Sequence, residues 1–355
     1  MTIKATLCID DAVGERRRAL LDPFGRPFRL EIERWREQAR ARLDEVWWGR
    51  AKVRTPDAKG WFVDLGLERD GLIEATKSHA IVEGALIPVR VKSEARAEKG
   101  PSLSLADMSE ATLRPDQPGR HAPPPADPFK IGVEIIAKIE GAPARKEIDA
   151  AIEEALRREA PIPDGGELCL EPTRALTAID VDAGVRTAGA GFGFELALNL
   201  AAAEEAARQI GLRGVGGLVV VDFLTLANRK DRTLVSQAFR RALAHWLGRA
   251  SEVSEISDLG LCEASLARRL RPVADALGPR LTAEREGLDV IRGLESEGWA
   301  ERGAQLRAVV SAQAALWLEK DNLGWKAALA QRIGGRWAIE ADGRAIGQPQ
   351  IWSVR

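Results

Sequence analysis

The sequence predicts an α/β body into which a small all-β barrel is inserted, and three observations predict it. Residues 45–105 break into short alternating runs, "VWWGRAKVRT", "GWFVDLG", "DGLIEA" and "LIPVRVKSEA", bounded by Gly, Pro and Asp. That is how a small closed sheet reads. From residue 130 onward strand-like runs alternate with amphipathic helical ones, the pattern of an α/β layer. Between the two regions "LRPDQPGRHAPPPADP" (113–128) is proline-rich with no apolar period, and predicts a linker.

Residues 1–40 carry two strand-like stretches, "IKATLCID" and "RPFRLEIERW", joined by a charged turn around Gly14-Glu15-Arg16. They are expected to pack on the body. The barrel is assigned to 41–108 and the linker to 109–129. The body, 130–280, opens with the strand-like "KIGVEIIAKIE" and the helix "ARKEIDAAIEEALRREA". "GELCLEPTRALTAIDVDAG" is either a strand pair or one hairpin. "FGFELALNLAAAEEAARQIGLRG" is a helix closed by Gly211 or Gly214. "GLVVVDFLTL" is a buried strand and "RTLVSQAFRRALAHWLGRA" another helix, and "EVSEISDLGLCEASLARRLRPVADAL" adds a strand, a turn and a helix. Residues 281–355 read as helical, ending in the short β-like piece "GGRWAIEADGRAIG".

Composition sets the outer bounds. The 355 residues are 45% hydrophobic, ample for real cores, with no apolar run of membrane-spanning length. The N-terminal stretch has acidic residues and no long apolar segment, unlike a secretion signal. Cys8, Cys169 and Cys262 are isolated and show no CxxC spacing, which argues against a disulfide framework and a cysteine-rich zinc site. A reducing cytoplasm is the expected location, without a membrane partner. With 52 basic and 53 acidic side chains the net charge is −1, so any nucleic-acid contact must come from local patches.

The chemistry-bearing residues begin with Asp180, Asp182 and Asp222. "ALTAIDVDAG" and "GGLVVVDFLTL" are apolar runs that each end in aspartate. Carboxylates at the end of a buried strand cost solvation energy unless something pairs with them. One helix separates the two runs, so a crossover can bring the strands side by side with both carboxylates at one edge. Such a pair suits a magnesium ion, which takes one or two carboxylates plus substrate phosphate. Singly, each Asp can equally be a turn residue or a helix N-cap.

Other signals are weaker. The glycine-rich "AGAGFGF" beside Arg186 fits neither GxGxxG nor a P-loop, and reads as a flexible loop or as one that lets a sugar-phosphate backbone approach. The basic runs "RRALAHWLGR" and "ARRLRP" are solvated faces or, if they border the acidic edge, phosphate contacts. His245 is expected on a helix surface. In the barrel, Arg50, Lys52, Arg54 and Lys59 interleave with Trp47, Trp48, Trp61 and Phe62. Cations tracking a backbone beside aromatics that stack bases are what single-strand binding requires. Alternation makes Trp61 and Phe62 face opposite ways, so one of them is core.

"EPTRALTAIDVDAG", "NLAAAEEAARQIGLRGVGGLVVVDFLTL" and "SDLGLCEASLARRLRP", in that order and spacing over residues 171–272, closely resemble the catalytic region of the ribonuclease E/G family. "VWWGRAKVRTPDAKGWFVDLGLERDGLIEA" resembles that family's S-one-type RNA-binding barrel, an OB fold. The resemblance implies a DNase I-like α/β catalytic domain. It implies a magnesium-dependent endoribonuclease that cuts single-stranded RNA by metal-assisted hydrolysis, leaving 5′-phosphate and 3′-hydroxyl ends, in RNA processing or decay. Asp180 and Asp222 would be the magnesium ligands, and Asp182 falls where the family typically has an Asn that helps orient the metal water. Phe62 matches the base-contacting aromatic, with Trp61, Arg50, Lys52, Arg54 and Arg186 as further RNA contacts.

The sequence also departs from that family. Asp182 replaces Asn, Thr225 replaces an acidic residue often seen after the first, and Leu72 replaces a second barrel aromatic. The region with an Arg-Thr-Ala-Gly sensor of 5′-monophosphates is not recognisable, and Cys262 stands without the CPxC zinc link between protomers. No zinc-linked oligomer is expected. The alternative expectation is an RNA-binding protein of the same architecture with little or no cutting activity.

Overall fold

The computed structural model describes residues 2–37, 40–56, 60–74, 81–96, 99–107, 115–163, 165–184, 193–269, 271–278 and 281–354. It is a mixed α/β protein with one closed barrel. The chain opens with three strands, β1 (Ile3–Ala12), β2 (Glu15–Leu21) and β3 (Pro27–Arg34), paired antiparallel in sequence order. The sequence predicts only two strands here. The stretch read as a charged turn is β2, which is almost wholly buried although it carries Arg16, Arg17 and Arg18. Ion pairs make this possible: Arg17 pairs with Glu15 and Asp149, Arg18 with Glu31 and Asp127. Arginine's planar fork suits it to such partly desolvated pairs.

The barrel follows, built from β4 (Val46–Arg54), β5 (Gly60–Asp64), β6 (Gly71–Glu74), β7 (Leu86–Ser93) and β8 (Ser102–Leu105). Its strands run in the order β4-β5-β6-β8-β7 and close back on β4, with β6 and β8 parallel. This closed five-stranded arrangement fits an OB-type barrel. Its core holds Trp47, Trp61, Val63, Leu65, Ile73, Val89, Val91 and Leu103. The proline-rich stretch is more than a linker, since β9 (Gly119–Ala122) within it adds to β4 as a further strand. Proline fixes backbone angles compatible with an edge strand, which periodicity does not reveal.

The chain then returns to the N-terminal sheet. β10 (Val133–Glu140) pairs parallel with β1, giving the order β10-β1-β2-β3 and making the barrel an insertion within that sheet. Helix α1 (Ala142–Leu156) covers one face of this sheet. A six-stranded sheet follows, in the order β11-β12-β13-β14-β16-β15. Its members are β11 (Glu159–Pro161), β12 (Glu167–Pro172), β13 (Leu176–Asp182), β14 (Gly217–Asp222), β15 (Glu252–Val253) and β16 (Leu261–Leu266). Helices α2 (Phe194–Arg213) and α3 (Arg229–Leu247) pack on its inner face.

Helix α2 lies between the two sheets and shares one core with both, which explains its run of Ala202, Ala203, Ala206 and Ala207, all fully buried. Only small side chains let backbones approach this closely: a Cβ on Gly211 would stand 2.9 Å from the Phe28 carbonyl oxygen. The short helix α4 (Val273–Leu277) leads out of the body. The C-terminal part holds α5 (Ala283–Ala300), β17 (Gln305–Ser311), α6 (Ala312–Lys320), α7 (Trp325–Ile333), β18 (Trp337–Asp342) and β19 (Gln350–Val354). Its three strands form a sheet in the order β18-β17-β19, so β17 is a strand inside a stretch read as helical.

Charged side chains join this part to the body. Arg145 of α1 pairs with Asp10 and with Glu295 of α5 at 2.8 and 2.6 Å, all three buried. Its guanidinium also covers the Trp299 ring at 4.9 Å. The barrel is tied to the body through Asp44, which Arg269 meets at 2.7 Å, and through Glu94, whose N–H donates to the Arg269 carbonyl.

Candidate active site

Strand β13 alternates buried Ile179, Val181 and Ala183 with exposed Asp180 and Asp182. Strand β14 does the same with Val219 and Val221 inward and Asp222 outward. The period-2 pattern therefore sends the apolar side chains onto the helices and the carboxylates onto the open face. The strands are parallel, joined by α2 as the crossover, and their register pairs Ile179 with Val221 and Asp180 with Asp222. Neighbouring strands lie about 4.8 Å apart, so the two carboxylates stand side by side at the carboxyl ends of their strands. The juxtaposition expected from sequence is present. The open alternative for 166–184 resolves as a hairpin: β12 and β13 pair antiparallel, with Cys169 opposite Asp180 and Glu167 opposite Asp182.

The three aspartates differ in their surroundings. Asp182 Oδ1 accepts the Gly184 N–H at 2.7 Å, and Gly184 has φ +62°, so Asp182 closes the turn that ends β13. Partial burial pushes the Asp180 carboxyl above the ordinary aspartate range, and the charges of Asp222 and Asp182 push it further. Among the described residues no cation forms an ion pair with Asp180 or Asp222. Two uncompensated, mutually repelling carboxylates are a donor set that a hard divalent cation fits. Among the described residues no group of three or more His, Cys, Asp or Glu side chains could hold a metal on its own. An ion here would take the aspartate pair and complete its shell with water or phosphate oxygens.

The basic run "RRALAHWLGR" lies on the second half of α3, which runs away from the aspartate edge. Arg240 there donates to the Val253 carbonyl at 2.6 Å. The cations nearest to the end of β14 in the chain are instead Arg229 and Lys230, in the first turn of α3 and exposed. Arg186, and residues 188–192 of the glycine-rich run, fall outside the described residues.

On the barrel, Phe62 is half-buried and faces outward, directly across from the outward-facing Leu72. Trp61 corrects the expectation: only 6% exposed, it belongs to the barrel core rather than to an RNA face. Alternation allows one of the two to be core, and the larger ring fills it. Arg54 is exposed, with its guanidinium 5.1 Å from the Trp61 ring centroid. Arg50 donates to the carbonyls of Gly84 and Asp116 at 3.0 and 3.1 Å, which makes it a brace between loops. Lys52 pairs with Asp70 at 3.0 Å. Lys59 is outside the described residues.

A sequence model of the ribonuclease E/G family matches residues 128–269, which takes in β10, α1 and the whole aspartate-bearing sheet. The chain is a relative of that family. Ribonuclease E of Haemophilus influenzae is 35% identical over 184 residues, covering 48% of this chain and 20% of that protein. Ribonuclease E of Escherichia coli is 33% identical over 184 residues, 48% of this chain and 17% of its own length. The chloroplastic Ribonuclease E/G-like protein of Arabidopsis thaliana is 40% identical over 129 residues, 36% of this chain and 13% of its own. The matched stretch thus spans a fifth or less of these relatives. The family match begins after the barrel, so the barrel's role rests on its own geometry.

One residue escaped the sequence reading. Asn199, in the second turn of α2, is fully buried and binds the backbone of Leu224 just beyond Asp222. The available signal was a polar residue in the middle of an otherwise apolar, alanine-rich helix face.

Proposed function

We propose that this protein is a magnesium-dependent endoribonuclease acting on single-stranded RNA. The observation that carries the reading is the in-register pair Asp180 and Asp222 at the carboxyl edge of two parallel strands. The family match over 128–269 supports it, because the matched segment contains that edge. Asp180 and Asp222 would hold the ion. When bound, magnesium supplies activation of a water and charge stabilisation on the phosphoryl group. The protein's own residues do the rest. Asp180 and Asp222 would hold the ion at the open sheet face, Asp182 adds negative charge beside them, and Arg229 and Lys230 offer donors to neighbouring phosphates. The resemblance to the ribonuclease E/G family supports hydrolysis that leaves a 5′-phosphate and a 3′-hydroxyl.

The strand order and the parallel β6–β8 pair support reading the barrel as an S-one-type OB fold. The catalytic sheet, with helices on its inner face, is compatible with a DNase I-like domain. Phe62 is the stacking candidate, and Arg54 is the exposed cation against Trp61 on the same barrel. No helix of the described chain is long and apolar enough to cross a membrane, and we place the activity in the cytoplasm. The test is direct: incubate the protein with end-labelled single-stranded RNA, with and without magnesium. Internal cuts that need magnesium and vanish in Asp180→Asn and Asp222→Asn support the reading. Cutting at the parent rate by both variants defeats it.

A further inference from the structure

We infer that Asn199 is a positioning residue that sets the geometry of Asp222 through the backbone that follows it. The inference rests on the aspartate-pair reading above. Asparagine is a poor helix former, and a wholly buried amide costs free energy unless its groups are bonded. Asn199 is 0% exposed within α2, and both ends of its amide are used on one residue. Its Nδ2 donates to the Leu224 carbonyl at 2.8 Å, and its Oδ1 accepts the Leu224 N–H at 3.0 Å. An amide side chain bonded this way does what a neighbouring strand's peptide does in a sheet.

The need for such a surrogate is visible in the register. Asp180–Asp222 is the last pair that β13 and β14 share. Beyond it β13 turns away at Asp182 and Gly184, so β14 loses its partner on that side. On the other side the chain is still held, because the Phe223 N–H donates to the Gly260 carbonyl at 3.2 Å. Successive residues of an extended chain bond to opposite sides. Leu224 therefore points its peptide groups away from Gly260, and Asn199 meets them there. Asp222 is thus followed by one residue pinned from Gly260, just before β16, and one pinned from α2. The crossover helix that connects the two aspartate strands is also the brace for the second aspartate.

A residue that orients a ligand side chain without touching the ion changes the ion's affinity by about 10–100-fold when lost. The probe is Mn2+ alone, followed by electron paramagnetic resonance on the full chain without RNA, in the parent, Asp222→Asn, Asn199→Ala and Asn199→Asp. Asn199→Ala should fold, by circular dichroism, and bind Mn2+ at least about tenfold more weakly. Its RNA cleavage should recover towards the parent's at saturating magnesium, a dependence on metal concentration that a general loss of structure would not produce. Asn199→Asp is close in shape and keeps an acceptor for the Leu224 N–H, so it should fall between parent and Asn199→Ala. If Asp222→Asn loses Mn2+ while both Asn199 variants bind it like the parent, the proposal is wrong and the aspartate reading survives. If Asp222→Asn binds Mn2+ as the parent does, the aspartate reading itself falls. Unfolding of both Asn199 variants would assign Asn199 to stability alone and overturn the positioning role.

Discussion

Asp180 stands directly opposite Asp222, with Asp182 two residues further along the same face of β13. Burial and these two neighbours raise the Asp180 carboxyl above its ordinary value. The folded protein therefore keeps a proton that the unfolded chain has already released. Metal-free stability falls as pH rises through the interval above the ordinary aspartate value. Without metal at neutral pH, Asp180→Asn should be the more stable protein, by less than about 1 kcal/mol because the site is solvated. Magnesium should reverse the order. At about 100 times its Kd an ion adds roughly 2.7 kcal/mol to whatever folded state binds it. Urea denaturation with and without magnesium reads both effects, and an equal response of parent and variant would contradict the site.

Activity should respond to the pair as one unit. Asp180→Asn and Asp222→Asn should each reduce cutting by about a thousandfold or more, and the double variant should be little worse than either. RNA binding should survive, since a carboxylate near phosphate is repulsive when no ion intervenes. Asp182→Asn should keep or raise the rate, because it removes one charge while an amide oxygen can still accept from Gly184. Gel-based cleavage and filter binding on the same preparations give these comparisons.

Neighbouring aromatics on β5 should separate into two classes. Phe62→Ala should cost about 1–3 kcal/mol in single-stranded RNA binding without changing the melting temperature much. Trp61→Ala should instead destabilise the barrel by about 3–5 kcal/mol. Among the cations, Arg54→Ala should reduce the slope of log affinity against log salt by about 1. Lys52→Ala should reduce it less, since Asp70 already offsets that charge. Salt titrations of fluorescence anisotropy measure the slopes, and calorimetry the stabilities.

Asp149 gives a pH signature far from the aspartate edge. Its carboxyl is pushed up to about 6, chiefly by burial, against the pull of Arg17 and with Asp10 and Asp289 adding to the rise. Between pH 4 and pH 6 the folded state binds a proton that the unfolded state lacks, so this group's contribution declines as pH increases across that window. Asp149→Asn should flatten that part of the stability profile while leaving the pH dependence of RNA cutting unchanged. A profile parallel to the parent's between pH 4 and pH 6 would refute the assignment.

The aspartate edge was legible in the sequence because it rests on period and connectivity alone. Two apolar runs, a crossover helix between them and an Asp at each end allow the strands to be neighbours, and the register that sets Asp180 beside Asp222 comes from the structure. What escaped was decided by partners distant in sequence. The stretch around Gly14-Glu15-Arg16 read as a turn, yet Glu15 and Arg16 open β2, which can bury Arg17 and Arg18 because Asp149 and Asp127 arrive from far along the chain. Arg50 and Lys52 looked like phosphate contacts, but residues 84, 116 and 70 claim them. β17 was hidden by the helical runs around it, since an isolated "QLRAVVS" takes its strand identity from β18 and β19. The choice between Trp61 and Phe62 was open at the level of alternation and needed the barrel's closure to settle.

The parallel pairing of β1 with β10 sets a timetable for the growing chain. β1, β2 and β3 leave the ribosome before the barrel, and the strand that completes their sheet follows only after it. At ~5–20 residues per second, the roughly 100 residues between Arg34 and Val133 take about 5–20 s to make. The barrel has time to close on its own within that interval, while the flank of β1 stays unpaired. Arg17 and Arg18 must likewise wait for Asp149 and Asp127. The N-terminal sheet can therefore be completed only once the barrel has been synthesised, and until then the open edge of β1 is a site where another strand could add.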